Sequence, residues 1–466
     1  MTVAAQADDS AREALMAHAR EILSRDRWSR ERLLTFQRER LRRLLDHAVA
    51  HSPYYRETLG GDASERPLAE LPPLTKAQLM TEFDRVVTDP SLRLAELQAF
   101  LGEAAPGESY RGEYRVFATS GATGQPGLFV YSEAEFAHWI SVGLAAFARV
   151  GVTSETRLVA IGAPKDVHIT RQLFAVFQAG RTGVPRLSAT TPLPETIAEL
   201  NRYQPEAVIG YASVLGLLAD EQLHGSLAIK PRVVITSSEI LTDETVRRIE
   251  EAWDTQPLDV YAATEAPPIA AASPDRVGMH VFEDSVVVEV VDENDVRVAP
   301  GVAGSKVLLT SLVSRAQPLI RYELSDAAVV ARGADPSGRP YMRIERVEGR
   351  SDDVLFLPGR NGREVRVHPY RIRSPFSALL DVRQYQVVHE RDGGIRIEIV
   401  PRPGADRGLD ERVRAAVLSE LEQVGAVPRS LTVVPVDAIE RESGPAAKLK
   451  IVRSELSVED PAASRP

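Results

Sequence analysis

The spacing of apolar residues divides the chain into stretches of different period. Near the N-terminus Leu33, Leu34, Leu41, Leu44, Leu45 and Ala48 recur at helical intervals between arginines. The segment from about Ser10 to Leu59 is therefore predicted helical, a structural cover whose pattern ends at Ser52-Pro53. From Tyr114 to Asp326 short β-rich runs alternate with amphipathic stretches. Runs at Arg157 to Ile161, Ala207 to Tyr211, Arg232 to Thr236 and Leu258 to Tyr261 predict strand–helix repetition. Asp284 to Glu293 and Ser305 to Leu312 then read as strands separated by a turn-rich segment, so an antiparallel portion follows the parallel one.

After Gly349 the texture changes. Gln384 to Glu390 and Ile395 to Val400 alternate around Asp392-Gly393-Gly394, which predicts a hairpin. Leu409, Val413, Val417, Leu421 and Val424 supply the apolar face of a following helix, and Leu431 to Val436 reads as a further strand. The expected fold is α/β: a large N-terminal mixed α/β domain over residues 1–351 and a small mobile C-terminal α+β domain over 352–466. A length of 466 residues supports two units, because single cores stop growing near 250 to 300 residues by rough rule.

Composition narrows the function. A net charge of -10 argues against nucleic acid or an anionic membrane as partner, since both attract basic surfaces. The absence of cysteine excludes disulfides, thiolate metal ligands and a cysteine nucleophile. The N-terminus lacks the basic start and apolar stretch of a signal peptide. No run approaches the roughly 20 apolar residues needed to cross a bilayer. A cytoplasmic location is expected. No repeat of 20 to 50 residues, by the usual range, is visible, and the polar tail Pro461 to Pro466 is expected to be disordered.

Several segments carry candidate chemistry. Thr119-Ser120-Gly121-Ala122-Thr123-Gly124-Gln125-Pro126 follows the β-like run Tyr114 to Phe117. Its glycines let backbone N–H groups turn toward an anion and its hydroxyls add donors, as a phosphate loop requires, although the Walker and dinucleotide glycine patterns are absent. Tyr261-Ala262-Ala263-Thr264-Glu265 ends a predicted strand, where ligands of α/β sheets bind, and its carboxylate suits Mg²⁺. Asp326 in Arg321-Tyr322-Glu323-Leu324-Ser325-Asp326 can accept hydrogen bonds from two ribose hydroxyls. Arg350 in Gly349-Arg350-Ser351-Asp352-Asp353 stands at the expected domain boundary, with Asp352 placed for hinge torsions. Near the C-terminus Glu442 to Lys450 forms a Gly/Pro-containing loop with two lysines, either of which could neutralise charge developing on an α-phosphate. Tyr211, Ala212 and Ser213, with Ala262 and Ala263, are candidates for an acid pocket.

This ordered set resembles the adenylate-forming superfamily of acyl-CoA synthetases, peptide-synthetase adenylation domains and luciferases, above all its phenylacetate-CoA ligase branch. The likeness runs from Trp28 and Leu41 to Tyr55 through the lysine loop, nearly the whole chain. The resemblance implies that Thr119, Ser120, Gly121, Thr123 and Gly124 hold ATP phosphates. It assigns Ser237, Ser238 and Glu239 to adenine and acid, Tyr261 to Glu265 to adenine and Mg²⁺, Asp326 to ribose, Arg350 to the nucleotide, Asp352 to the hinge, and catalysis to Lys448 (with Lys450 as rival), Glu265 and Thr264. His280 and Glu283 in Gly-Met-His-Val-Phe-Glu-Asp match a branch motif without an assigned role. The implied mechanism forms acyl-AMP and pyrophosphate, after which the small domain rotates and an acceptor attacks the acyl carbon.

Two departures bear on the substrates. Ala262 stands where the family usually has glycine beside the acid, which reshapes the pocket. Leu357-Pro358-Gly359-Arg360-Asn361-Gly362-Arg363-Glu364-Val365 is longer and more charged than the branch's loop beside the thiol tunnel. The resemblance implies CoA as the acceptor, and this loop keeps a carrier-protein thiol, an amine, or nitrite activation toward a diazo group open as alternatives.

Overall fold

The computed structural model describes residues 3–105, 107–119, 126–165, 167–179, 183–272, 275, 277–350, 353–360, 362–367, 369–442 and 446–455. The predicted N-terminal helical stretch is real but divided. Helices Val3–Ser24, Arg30–His51 and Pro53–Leu59 are separated at Ser29 and Ser52, whose side chains accept the N–H of Arg32 and Tyr55. Each serine caps a new helix and so breaks what periodicity alone reads as one. Arg25 pairs with Asp284, Arg149 with Asp26 and Arg30 with Glu283, which ties this cover to the body beneath.

A nine-stranded sheet organises the chain. Its parallel part holds Leu187–Ser188, Leu158–Gly162, Ala207–Tyr211, Val233–Ser237 and Leu258–Ala263 in spatial order; Ala266–Ala272, Met279–Val281, Arg343–Arg350 and Asp326–Val330 continue it antiparallel. Alternation along each parallel strand sends residues to two layers. Leu158, Ala160, Ile209, Ile235 and Leu258 face the layer with the helices Glu133–Arg149 and Ile169–Gln178. Val159, Ile161, Val208 and Val234 face Leu215, Leu218 and Ile249 of the helices Ala212–Leu223 and Asp243–Trp253. The strands read from Asp284 to Glu293 and Ser305 to Leu312 form instead a separate three-stranded sheet, Val286–Val291, Lys306–Ser311 and Tyr322–Leu324.

The C-terminal part has its own apolar core, in which Leu355, Val387, Ile397, Val413 and Leu421 are buried together. The hairpin Val382–His389 and Ile395–Pro401 lies where predicted, followed by the helix Leu409–Gln423 and the strand Leu431–Pro435. A short strand, Val452–Ser454, completes a four-stranded sheet by pairing parallel to Val382–His389. The lysine loop runs between these last two strands. Among the described residues no helix is long and apolar enough to cross a membrane.

Candidate active site

The parallel strands end at a cavity of about 940 Å³ roofed by the C-terminal part. Thr119, Ser238, Glu239, Tyr261, Glu265 and Asp326 line it, and so do Ala262, Ala263, Thr264, Arg350 and Lys448. Residues drawn from sites more than 300 positions apart in the chain thus share one space. Ser120, Gly121, Thr123, Gly124 and Asp352 lie outside the described residues. At the flanks of the first segment, Gly127 N donates to Thr119 Oγ1 at 2.8 Å and Thr119 N to Gly127 O at 2.9 Å.

The sheet fixes the anionic side chains. Tyr261, on a central strand, donates through Oη to Asp326 Oδ2 at 2.8 Å, and Arg350 Nε lies 3.8 Å from Asp326 Oδ1. Glu265 is buried. Its carboxyl is pushed up by burial, with Arg350 opposing and Asp326 adding to the shift. A carboxylate enclosed in this way favours a cation, and Mg²⁺ commonly takes a single protein carboxylate beside nucleotide phosphate, so the residue fits that metal. Ser238 has φ 70, a left-handed conformation uncommon for serine and frequent at functional sites.

The two lysines of the loop differ in surroundings. Lys448 faces the cavity, and its ammonium is pushed down to about 8 by burial and by the neighbouring Arg350, against the pull of Glu239, Asp326 and Glu442. Lys450 lines the same cavity, but its Nζ is held 2.7 Å from Asp353 Oδ1. The loop itself is pinned by Glu239: Oε1 accepts Leu449 N at 2.7 Å and Arg441 Nη1 at 3.1 Å, while Oε2 accepts Ser213 N at 3.0 Å.

Tyr211, Ala212 and Ser213 stand outside the residues that line the cavity. Tyr211 Oη donates to Ala446 O at 2.8 Å, and Ser213 Oγ accepts Arg441 Nη2 at 2.8 Å. They are fastened to the lysine loop. Apolar lining comes from elsewhere, including Gly143, Ala146, Phe147, Phe174, Phe177 and Ile209. These rings sit against glycine: a Cβ on Gly143, which lines the cavity, would lie 2.5 Å from Phe177 Cζ, and one on Gly162, at the end of the strand Leu158–Gly162, 2.7 Å from Phe174 Cε2. Phe147 and Phe177 pack edge to face at 4.7 Å.

Sequence reasoning missed these phenylalanines and also His168, a buried cavity residue whose imidazole is pushed down to about 3 by burial and by Lys448. His168 Nδ1 lies 2.7 Å from Thr170 Oγ1 at the start of the helix Ile169–Gln178. Its position as a helix cap was the only available signal. His280 and Glu283 turn to structural partners, His280 Nε2 to Asp335 and Glu283 to Arg30 and to Met342 N.

Comparison with known proteins gives the class, an AMP-forming acid ligase. The chain belongs to the AMP-binding enzyme family, whose model matches residues 78–313, just over half of it. It is similar to the phenylacetate-coenzyme A ligase of Pseudomonas putida, 27% identical over 405 residues that cover 83% of this chain and 86% of that protein. The enzyme of the same name from Escherichia coli K12 is 28% identical, with 71% and 74% covered. Among solved structures, 2-hydroxyisobutyryl-CoA ligase in the postadenylation state with R3-HIB-AMP shares the fold, with a TM-score of 0.71, 20% identity, and 89% and 88% of the two chains covered.

Proposed function

We propose that this protein joins a small aromatic carboxylic acid to AMP and then passes the acyl group to coenzyme A. The observation that carries the reading is the meeting of Lys448, Arg350, Asp326 and Glu265 in one cavity that Phe147, Phe174 and Phe177 also line. Aromatic side chains there would pack a ring face or edge, and none of them pairs a second charge. The CoA-ligase names of the curated relatives support the acceptor.

In the first step a carboxylate oxygen attacks the α-phosphorus of ATP. The bond to the bridging oxygen breaks, and pyrophosphate leaves with that electron pair. Lys448 and Arg350 neutralise charge on the transferring phosphoryl group, Asp326 orients the ribose, and Thr119 with the loop Ser120, Gly121, Thr123 and Gly124 holds the phosphates. Glu265 would hold Mg²⁺, which supplies charge neutralisation across the phosphate oxygens. In the second step the thiol sulfur attacks the acyl carbon, its proton is lost, and AMP departs. The small domain turns at Asp352 between the steps, withdrawing Lys448.

The test is a pyrophosphate-release screen over carboxylic acids, with nitrite included, repeated with CoA and with amines. Release stimulated by aromatic acids, and AMP formation completed by CoA, is the expected result. Completion by an amine alone replaces the acceptor, and no release with any acid overturns the reading.

A further inference from the structure

Asp220 is fully buried, lies outside the residues that line the cavity, and is surrounded by arginines from both parts of the molecule. It sits on the helix Ala212–Leu223. Its Oδ1 accepts Arg402 Nη2 at 2.7 Å, and its Oδ2 lies 3.6 Å from Arg383 Nε and 3.7 Å from Arg248 Nη1. Arg383 and Arg402 belong to the C-terminal sheet and its edge, whereas Arg248 belongs to the helix Asp243–Trp253 of the large part. Arg383 Nη2 also donates to Glu221 Oε1 at 2.6 Å, and Arg248 Nη1 to Arg383 O at 2.6 Å.

A buried carboxylate is costly unless paired, and its pairing here depends on where the C-terminal part sits. If that part turned away, Asp220 would keep Arg248 and lose Arg383 and Arg402. The cluster therefore rewards one orientation. That orientation is the one in which Lys448 faces the cavity, and at its other end the same helix meets, through Ser213, Arg441 just before the lysine loop and Glu239, which accepts Leu449 N.

We propose that Asp220 is a positioning residue: by pairing with Arg383 and Arg402 it holds the C-terminal domain in the orientation that delivers Lys448 for adenylation. This rests on the adenylation reading above for its catalytic consequence, though its structural consequence can be read separately. Loss of the pair moves population away from the adenylating arrangement, so the first half-reaction suffers and the second does not.

Because the chain has no native cysteine, the exposed residues Val302 and Val434, one on each part, can be changed to cysteine and spin-labelled cleanly. The labelled protein is expected to give one narrow distance distribution that Asp220→Asn and, independently, Arg402→Gln broaden or shift. Arg402→Gln keeps the Asp220–Arg248 contact and guards against a variant that fails to fold. With the acid found by the screen, both variants should lower pyrophosphate exchange by about tenfold or more while thioester formation from supplied acyl-adenylate stays within roughly twofold. An unchanged distribution in both folded variants, or equal loss in both half-reactions, overturns the proposal. A wild-type protein that exchanges pyrophosphate with no acid sinks the adenylation reading, and the distance measurement still decides the clasp.

Discussion

Lys448 and Lys450 are two residues apart and chemically alike, yet their neighbours give them different work. Both line the cavity, but Lys450 is paired with Asp353, whereas Lys448 lies among Arg350, Glu239 and Asp326. Lys448→Ala is expected to lower acid-dependent pyrophosphate exchange about 100- to 1000-fold, the scale of one lost transition-state contact. Lys450→Ala should cost no more than a few-fold, about the worth of a part-exposed ion pair. Equal losses would show that the loop acts as a unit. The lysine's depressed titration also gives a sign to pH dependence. In the proposed role its ammonium is the active form, and burial together with Arg350 brings loss of its proton down to about pH 8. The value of kcat/KM for ATP should therefore fall above that pH, roughly tenfold per unit, and a profile flat to pH 10 by rough scale would contradict the assignment.

Elements built from local pattern were legible, whereas surfaces between elements were not. The β-branched runs at Val208-Ile209 and Val233-Val234-Ile235 announce strands because alternation and β-branching are properties of a few neighbours. Phe147, Phe174 and Phe177 were hidden for a physical reason: helical spacing is the same for a ring packed in a core and a ring facing a cavity. Gly143 marks the difference, since it leaves the room that Phe177 occupies. Gly143→Ala is expected to push that ring toward the cavity, cost about 1–3 kcal/mol at most by the scale of overpacking, and favour smaller acids. Thermal unfolding with an acid panel checks it; unchanged acid preference in a folded variant would remove Phe177 from the acid site. Asp220 and Arg441 were equally invisible, because charged residues on amphipathic helices and loops read as solvated faces until a second body covers them.

At the scale of the whole molecule, the apolar core of the C-terminal part meets the large part and its own cores across polar contacts, and the cavity draws on both parts. The mixed sheet, the C-terminal hairpin and the order of the site segments followed from the sequence, while the meeting of the two bodies required coordinates. A ligand that touches both should link their unfolding. A non-hydrolysable acyl-adenylate mimic at 100 times its Kd is expected to add about 2.7 kcal/mol to stability. In calorimetry it should draw the transitions of the two bodies together, and Lys448→Ala should diminish the effect. Separate transitions with the mimic bound would mean that it contacts one body alone.

The helix Ala212–Leu223 touches the C-terminal part near both of its ends, at Ser213 and at Asp220. Seven residues of helix place those points about 10 Å apart on a stiff rod. In the proposed movement of the C-terminal part, two anchors on one stiff helix are expected to release together. Departure of the lysine loop would then be an all-or-none event, with half-docked arrangements scarcely populated.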